Sequence, residues 1–274
     1  MKKIVYANGD SFTYGMEILG DDDRTPANKE LAYPAKVAKA LNIPKVFNGA
    51  FIGAGNEFIF RQTMFELIEL ERQGIDPKDV LVLIGWTVPF RSEINLKEAV
   101  TSARAGKIIA SDNETEQKYL ENYPEFTAFG NIFISAFAGT KYHVDKTSVI
   151  DITDARDFHI NYIWDWDLEY NKWFCQVIAL ESFLRSKGYD FLFFNAIHAF
   201  NLDLEKLNNQ AKHYRHLLDG PNYFRFLDWG WSDWGHQKFP ETVTYKSHFK
   251  EEMHEKFAGM LVQHLNYHKL AGNE

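Results

Sequence analysis

The chain has 274 residues, with 30 Lys and Arg against 38 Asp and Glu, a formal net charge of −8, and 45% hydrophobic content. That length buries a full core as one domain, while an acidic balance without a long basic run argues against nucleic acid as the main partner. No apolar stretch approaches a membrane span, Met1-Lys2-Lys3 precedes no signal-peptide core, and the lone Cys175 has no internal disulfide partner, so the expectation is a cytoplasmic protein.

Strand candidates are Lys3–Asn8, Lys45–Asn48, Val80–Ile84, Asp190–Ala196 and Tyr223–Asp228, each short and nearly all apolar, as strands buried on both faces are. Between and after them the pattern predicts helices over Ala32–Leu41, Glu57–Gln73, Trp173–Lys187, Leu204–Leu218 and Phe249–Leu265. Gly188 stands where a C-cap belongs, and Met253, Phe257, Leu261 and Leu265 make one stripe on the last helix. The alternation predicts an α/β fold, with three α/β/α layers around a five-stranded parallel sheet in flavodoxin-like order.

Residues 91–167 interrupt this rhythm and are too long for an ordinary loop, so they are expected to form an inserted lid or small subdomain within a single domain over 1–274. Asp165-Trp166-Asp167 near its end suits either a ligand-facing segment or a helix cap. Aromatic residues make up 16% of the chain. Most are expected in the core, and some suit a wall for a sugar or acyl group.

Chemistry is expected at the carboxyl edge of the sheet. The first strand stops at Gly9-Asp10-Ser11, which places a hydroxyl there and makes Ser11 the candidate nucleophile. Asn48-Gly49-Ala50-Phe51-Ile52-Gly53-Ala54-Gly55-Asn56 follows the second strand, where glycines let backbone N–H groups approach a ligand or simply make a tight turn. After the third strand, Gly85-Trp86-Thr87-Val88-Pro89-Phe90-Arg91 offers a hydroxyl and a cation, each equally at home in a turn or on the surface. His248, just ahead of the last helix, can reach across the sheet edge to Ser11. The histidines form no metal-ligand cluster, His254 and His264 are expected on a helix surface, and no phosphate-cradling glycine loop is present.

These four segments occur in the order of the four blocks of the SGNH/GDSL hydrolases, which the chain resembles outside 91–167. Its Gly-Trp-Thr third block resembles a divergent branch common in tailed bacteriophages, which would place the protein in host cytoplasm or a virion. The resemblance implies the SGNH hydrolase fold, Ser11 as nucleophile, and oxyanion donors at the N–H groups of Ser11 and Gly53. The family's third donor is an Asn side chain, and Thr87 stands in its place. Asn56, near the glycine turn, is a stand-in donor or substrate contact, and Arg91 is a further substrate-binding candidate.

The family's base is a His with an Asp three residues before it. His248 holds the family's relation to the Phe257-Ala258 pair, but Tyr245 precedes it at that spacing. Asp233 is therefore the candidate acid for His248, with Asp233 and His236 as the rival pair and a Ser-His dyad steadied by a backbone carbonyl as a third arrangement.

The implied activity is carboxylic ester hydrolysis by a serine esterase, an O-acetyl group on a glycan being the most attractive substrate, with no cofactor and no metal. The alternative is an SGNH-fold binding protein, or one that attaches to a virion, that has lost catalytic power. A small-molecule or glycan ester is the expected partner, and neither nucleic acid nor membrane is.

Overall fold

The computed structural model describes residues 2–20, 25, 27–89, 91–95, 131–135, 141–143, 149–151, 165–198, 215–218, 220–226, 229–244 and 247–271. In chain order these give β1 (Ile4–Asn8), α1 (Ser11–Tyr14), α2 (Ala27–Leu31), α3 (Tyr33–Ala40), β2 (Lys45–Asn48), α4 (Asn56–Arg72) and β3 (Val80–Trp86). Then come β4 (Arg91–Asn95), β5 (Asn131–Ser135), β6 (Lys141–His143), β7 (Val149–Asp151), α5 (Trp166–Lys187), β8 (Asp190–Asn195), α6 (Trp231–Lys238) and α7 (Glu251–Tyr267).

The main sheet runs β2-β1-β3-β8 with every pair parallel, the neighbour order expected for a flavodoxin-like fold. Among the described residues it has four strands where five were expected. The fifth candidate, Tyr223–Asp228, contributes one parallel bridge from Tyr223 to Phe193, and its residues 227 and 228 lie outside the described set. Asn195 holds that segment in another way, donating from its side chain to the Phe226 carbonyl.

Alternate residues of β1, β3 and β8 enter two separate cores, which is why these strands read as continuous apolar runs. Val5, Ala7, Leu81, Leu83, Leu192 and Phe194 face the layer containing α3 and α7, where Val37, Met253, Phe257, Leu261 and Leu265 are buried. Ile4, Tyr6, Val82, Ile84, Phe191 and Phe193 face the other layer, against Ile59 and Leu67 of α4 and Trp173, Phe174, Val177 and Leu184 of α5. The chain is thus an α/β protein with helices on both faces of a parallel sheet.

α5 begins seven residues earlier than its apolar pattern predicts, at Trp166. The Asp165 side chain accepts from the Leu168 N–H and caps the helix, which assigns Asp165-Trp166-Asp167 to a helix start. Gly188 ends it in the left-handed conformation, as expected. Of the segment 91–167, the described residues form the antiparallel pairs β4–β5 and β6–β7 and the start of α5. Residues 204–214 of the expected helix Leu204–Leu218 lie outside the described set, and Arg215–Leu218 is a single 3-10 turn.

Candidate active site

β1 delivers the chain to the carboxyl edge, and the turn that follows is held from several sides. The Asn8 side chain accepts from the Gly9 N–H at 2.7 Å and donates to Thr63 Oγ1 of α4 at 3.0 Å. Gly9 packs so closely that a Cβ there would stand 2.2 Å from Thr13 Oγ1 and 2.9 Å from the Gly85 carbonyl oxygen. Asp10 caps α1, its Oδ1 accepting from the Phe12 N–H at 3.0 Å. Ser11 is then the first residue of α1, 4% exposed, and its own N–H has no acceptor within the helix.

His248 meets it from the loop before α7. Nε2 of His248 lies 2.9 Å from Ser11 Oγ, and Nδ1 lies 3.2 Å from Glu17 Oε2. The same Glu17 oxygen accepts from the Thr244 hydroxyl, and Thr244 Oγ1 in turn accepts from the His248 backbone N–H at 3.0 Å. With the ring donating from Nδ1 to Glu17, its Nε2 lone pair faces the serine hydroxyl. Burial pushes the Glu17 carboxyl up, but the hydrogen bonds from Thr244 and His248 and the nearby imidazole outweigh it. The net effect holds the group below the ordinary carboxylate value. Glu17 (φ 67) and Ser247 (φ 69) both adopt left-handed backbone, a strain that costs about 1–3 kcal/mol per residue and clusters at functional sites.

The acid beside the imidazole is thus Glu17, which the sequence reading passed over. Asp233 is drawn elsewhere: its Oδ1 lies 2.7 Å from His198 Nδ1, because the N-terminus of α6 is tied by the Asp233 N–H to the Ile197 carbonyl. His236, the rival base, donates through Nδ1 to the Ser232 carbonyl one turn back at 2.8 Å. Tyr245 lies outside the described residues. The one signal for Glu17 was its position six residues past Ser11, a carboxylate following closely on Gly15.

The glycine turn after β2 is stitched to the nucleophile turn by the Gly49 N–H on the Ala7 carbonyl at 2.8 Å and the Phe51 N–H on the Gly9 carbonyl at 3.1 Å. Gly53 sits in it at φ 83. Thr87 is buried beside the site, but its hydroxyl donates to Asp10 Oδ2 at 2.8 Å, so it is not directed as an oxyanion donor. Arg91 Nη1 reaches the same Asp10 oxygen at 3.0 Å. Asn56 grips the Thr87 backbone at both ends, accepting from its N–H and donating to its carbonyl, each at 3.0 Å, so its amide is committed there.

His254 is 1% exposed, not a surface residue. Its Nδ1 accepts from the Tyr33 N–H at 3.2 Å, capping α3, whose own N-cap Ala32 has no side-chain acceptor. His264 is half-buried and donates to the Pro221 carbonyl. Among the described residues no group of three or more His, Cys, Asp or Glu is arranged to hold a metal ion, and no helix is long and apolar enough to cross a membrane.

No family model and no curated protein matches the chain. Among solved structures it is similar to the lipase Lip_vut3 from a goat rumen metagenome, at 13% identity and a TM-score of 0.46 over 98% of this chain and 100% of that one. It is also similar to a protein described as lipolytic, of the G-D-S-L family, from Desulfitobacterium hafniense DCB-2, at 15% identity and a TM-score of 0.31 over 96% of this chain and 100% of that one. Likenesses this distant bear no weight, and the chemistry rests on the geometry of Ser11, His248 and Glu17.

Proposed function

We propose that the protein is a serine esterase in which Ser11, His248 and Glu17 act as the nucleophile, base and orienting acid. The observation that carries this reading is the 2.9 Å approach of His248 Nε2 to Ser11 Oγ, with a buried carboxylate on the other ring nitrogen. A serine hydroxyl is a poor nucleophile until an adjacent base takes its proton. His248 takes that proton as Ser11 Oγ attacks an ester carbonyl, and Glu17 stabilises the imidazolium that results. The imidazolium then protonates the departing alcohol. A water molecule, deprotonated by the same nitrogen, attacks the acyl-serine, and the imidazolium returns the proton to the departing Ser11 Oγ as the acid is released.

The developing oxyanion rests on two backbone donors, Ser11 N–H and Gly53 N–H, from the two turns stitched together at the sheet edge. Removing one oxyanion donor from a serine hydrolase costs about 10²–10³ in rate, and neither Thr87 nor Asn56 turns a side-chain donor to the hole, so turnover is expected first on an ester with a good leaving group. An aryl acetate meets that demand, and an O-acetyl group on a glycan is the natural substrate class we favour. The test is hydrolysis of an aryl acetate by wild type and by Ser11→Ala. The reading predicts turnover that vanishes in the variant, whereas equal rates in the two would overturn it.

A further inference from the structure

The turn between β3 and β4 touches both halves of the oxyanion hole, and that contact has a use. Asp10, fully buried, caps the helix that begins with Ser11, and its Oδ2 takes the Arg91 guanidinium at 3.0 Å and the Thr87 hydroxyl at 2.8 Å. The backbone of Arg91 lies on the other side, against the glycine turn: a Cβ on Gly55 would stand 2.6 Å from the Arg91 carbonyl oxygen. Gly55 is two residues from Gly53. The start of the turn is fixed independently by the Asn56 grip on the Thr87 backbone. One residue therefore binds the nucleophile turn with its side chain and bears on the oxyanion turn with its main chain.

We propose that Arg91 is a positioning residue that sets the spacing of the two oxyanion donors, Ser11 N–H and Gly53 N–H, in place of contributing a donor or a substrate contact of its own. The proposal rests on the serine-esterase reading. It also explains why Thr87 faces Asp10. A buried carboxylate without a countercharge is strongly unfavourable, and Arg91 with Thr87 satisfies the Asp10 oxygen that the helix cap leaves open. Because Arg91 opens β4, which pairs with β5 from the segment between β3 and α5, its ion pair with Asp10 joins that segment to the nucleophile turn, beside the backbone bonds that stitch the two turns.

The test compares wild type, Arg91→Ala and Arg91→Lys by rate of fluorophosphonate labelling and by aryl acetate kinetics, with thermal melts run alongside. A misplacement of about 1 Å at reacting groups can cost on the order of 10²-fold. Arg91→Ala is therefore expected to label about 10- to 100-fold more slowly, with the loss in kcat and KM nearly unchanged. Guanidinium ion at low millimolar concentration should restore part of the rate. Arg91→Lys keeps the cation, so it is expected to stay folded and to fall between the two, which preserves the test if the alanine variant does not fold.

A raised KM at unchanged kcat would make Arg91 a substrate contact and overturn the proposal. So would labelling within twofold of wild type, or a rate loss that guanidinium cannot relieve in a variant melting as wild type does. A wild-type chain that neither turns over nor labels removes the esterase reading and this inference together. A reactive wild type with an unaffected Arg91→Ala removes the inference alone.

Discussion

Ser11, His248 and Glu17 come from two places in the chain, and each is held in place by neighbouring side chains. Asp10 fixes the helix on which Ser11 stands, and Thr244 joins the His248 backbone to the Glu17 carboxylate. Glu17→Gln keeps the shape but replaces the carboxylate with an amide, which stabilises an imidazolium less and permits the wrong tautomer. In a serine protease the corresponding change costs about 10⁴ in kcat. We expect Glu17→Gln to lower kcat on an aryl acetate by about 10²–10⁴-fold with the melting temperature little altered, and Glu17→Asp to recover part of the loss. Burial raises the wild-type carboxyl but its hydrogen bonds hold it below its ordinary value, so the loss in Glu17→Gln should persist on the neutral and alkaline side of the profile, and a variant matching wild type there would contradict the assignment. Ser11 and His248 were legible in the sequence because each sits at a fixed place relative to an element, one after β1 and the other before the last helix. Glu17 was not, since its reach to His248 depends on a left-handed backbone that no pattern of residue types announces.

At the level of elements, the N-terminus of α3 is closed by a side chain from α7. His254 accepts from the Tyr33 N–H only when neutral, and burial, then the charges of His248 and Lys36, push its pKa down to about 3. The unfolded chain takes up that proton near pH 6.5, so between about pH 6.5 and 3 the unfolded state binds more protons and stability falls as pH falls. At pH 5 this one group removes about 2 kcal/mol relative to neutral pH. Urea midpoints measured from pH 7.5 to 5 should drop accordingly, and His254→Gln, which keeps an acceptor without the titration, should flatten that slope. An unchanged slope would refute the role. The sequence placed α7 and its apolar stripe well, but a histidine between Met253 and Phe257 reads as surface unless the N-terminus of another helix is known to abut it. The same limit applies to Asp233 and His236. The Asp-x-x-His spacing is present in the chain, yet the two residues lie on α6, where each finds a different partner.

For the molecule as a whole, one sheet with two apolar faces fixes where the loops meet, and Phe257 shows how tightly the layers depend on one another. Its ring, fully buried, packs on Tyr33 of α3, Phe194 of β8, Trp231 of α6, and Phe224 and Trp229. Phe257→Ala should cost about 3–5 kcal/mol, read as a lowered urea midpoint. A loss under about 1 kcal/mol would mean that the layer repacks freely. The parallel sheet was legible because β1, β3 and β8, buried on both faces, are almost uniformly apolar, whereas the edge strand β2 is partly exposed. The fifth candidate, Tyr223–Asp228, has the composition of a strand, and its described residues make one bridge to β8 and are held at Phe226 by the Asn195 side chain. The carboxyl edge of this sheet presents the Ser11 hydroxyl to His248. The most direct measurement is fluorophosphonate labelling followed by peptide mapping of the modified residue. A single adduct on Ser11 is expected, absent from Ser11→Ala and strongly reduced in His248→Ala but not in His236→Ala. An adduct on another residue, or none on the wild-type chain, would contradict it.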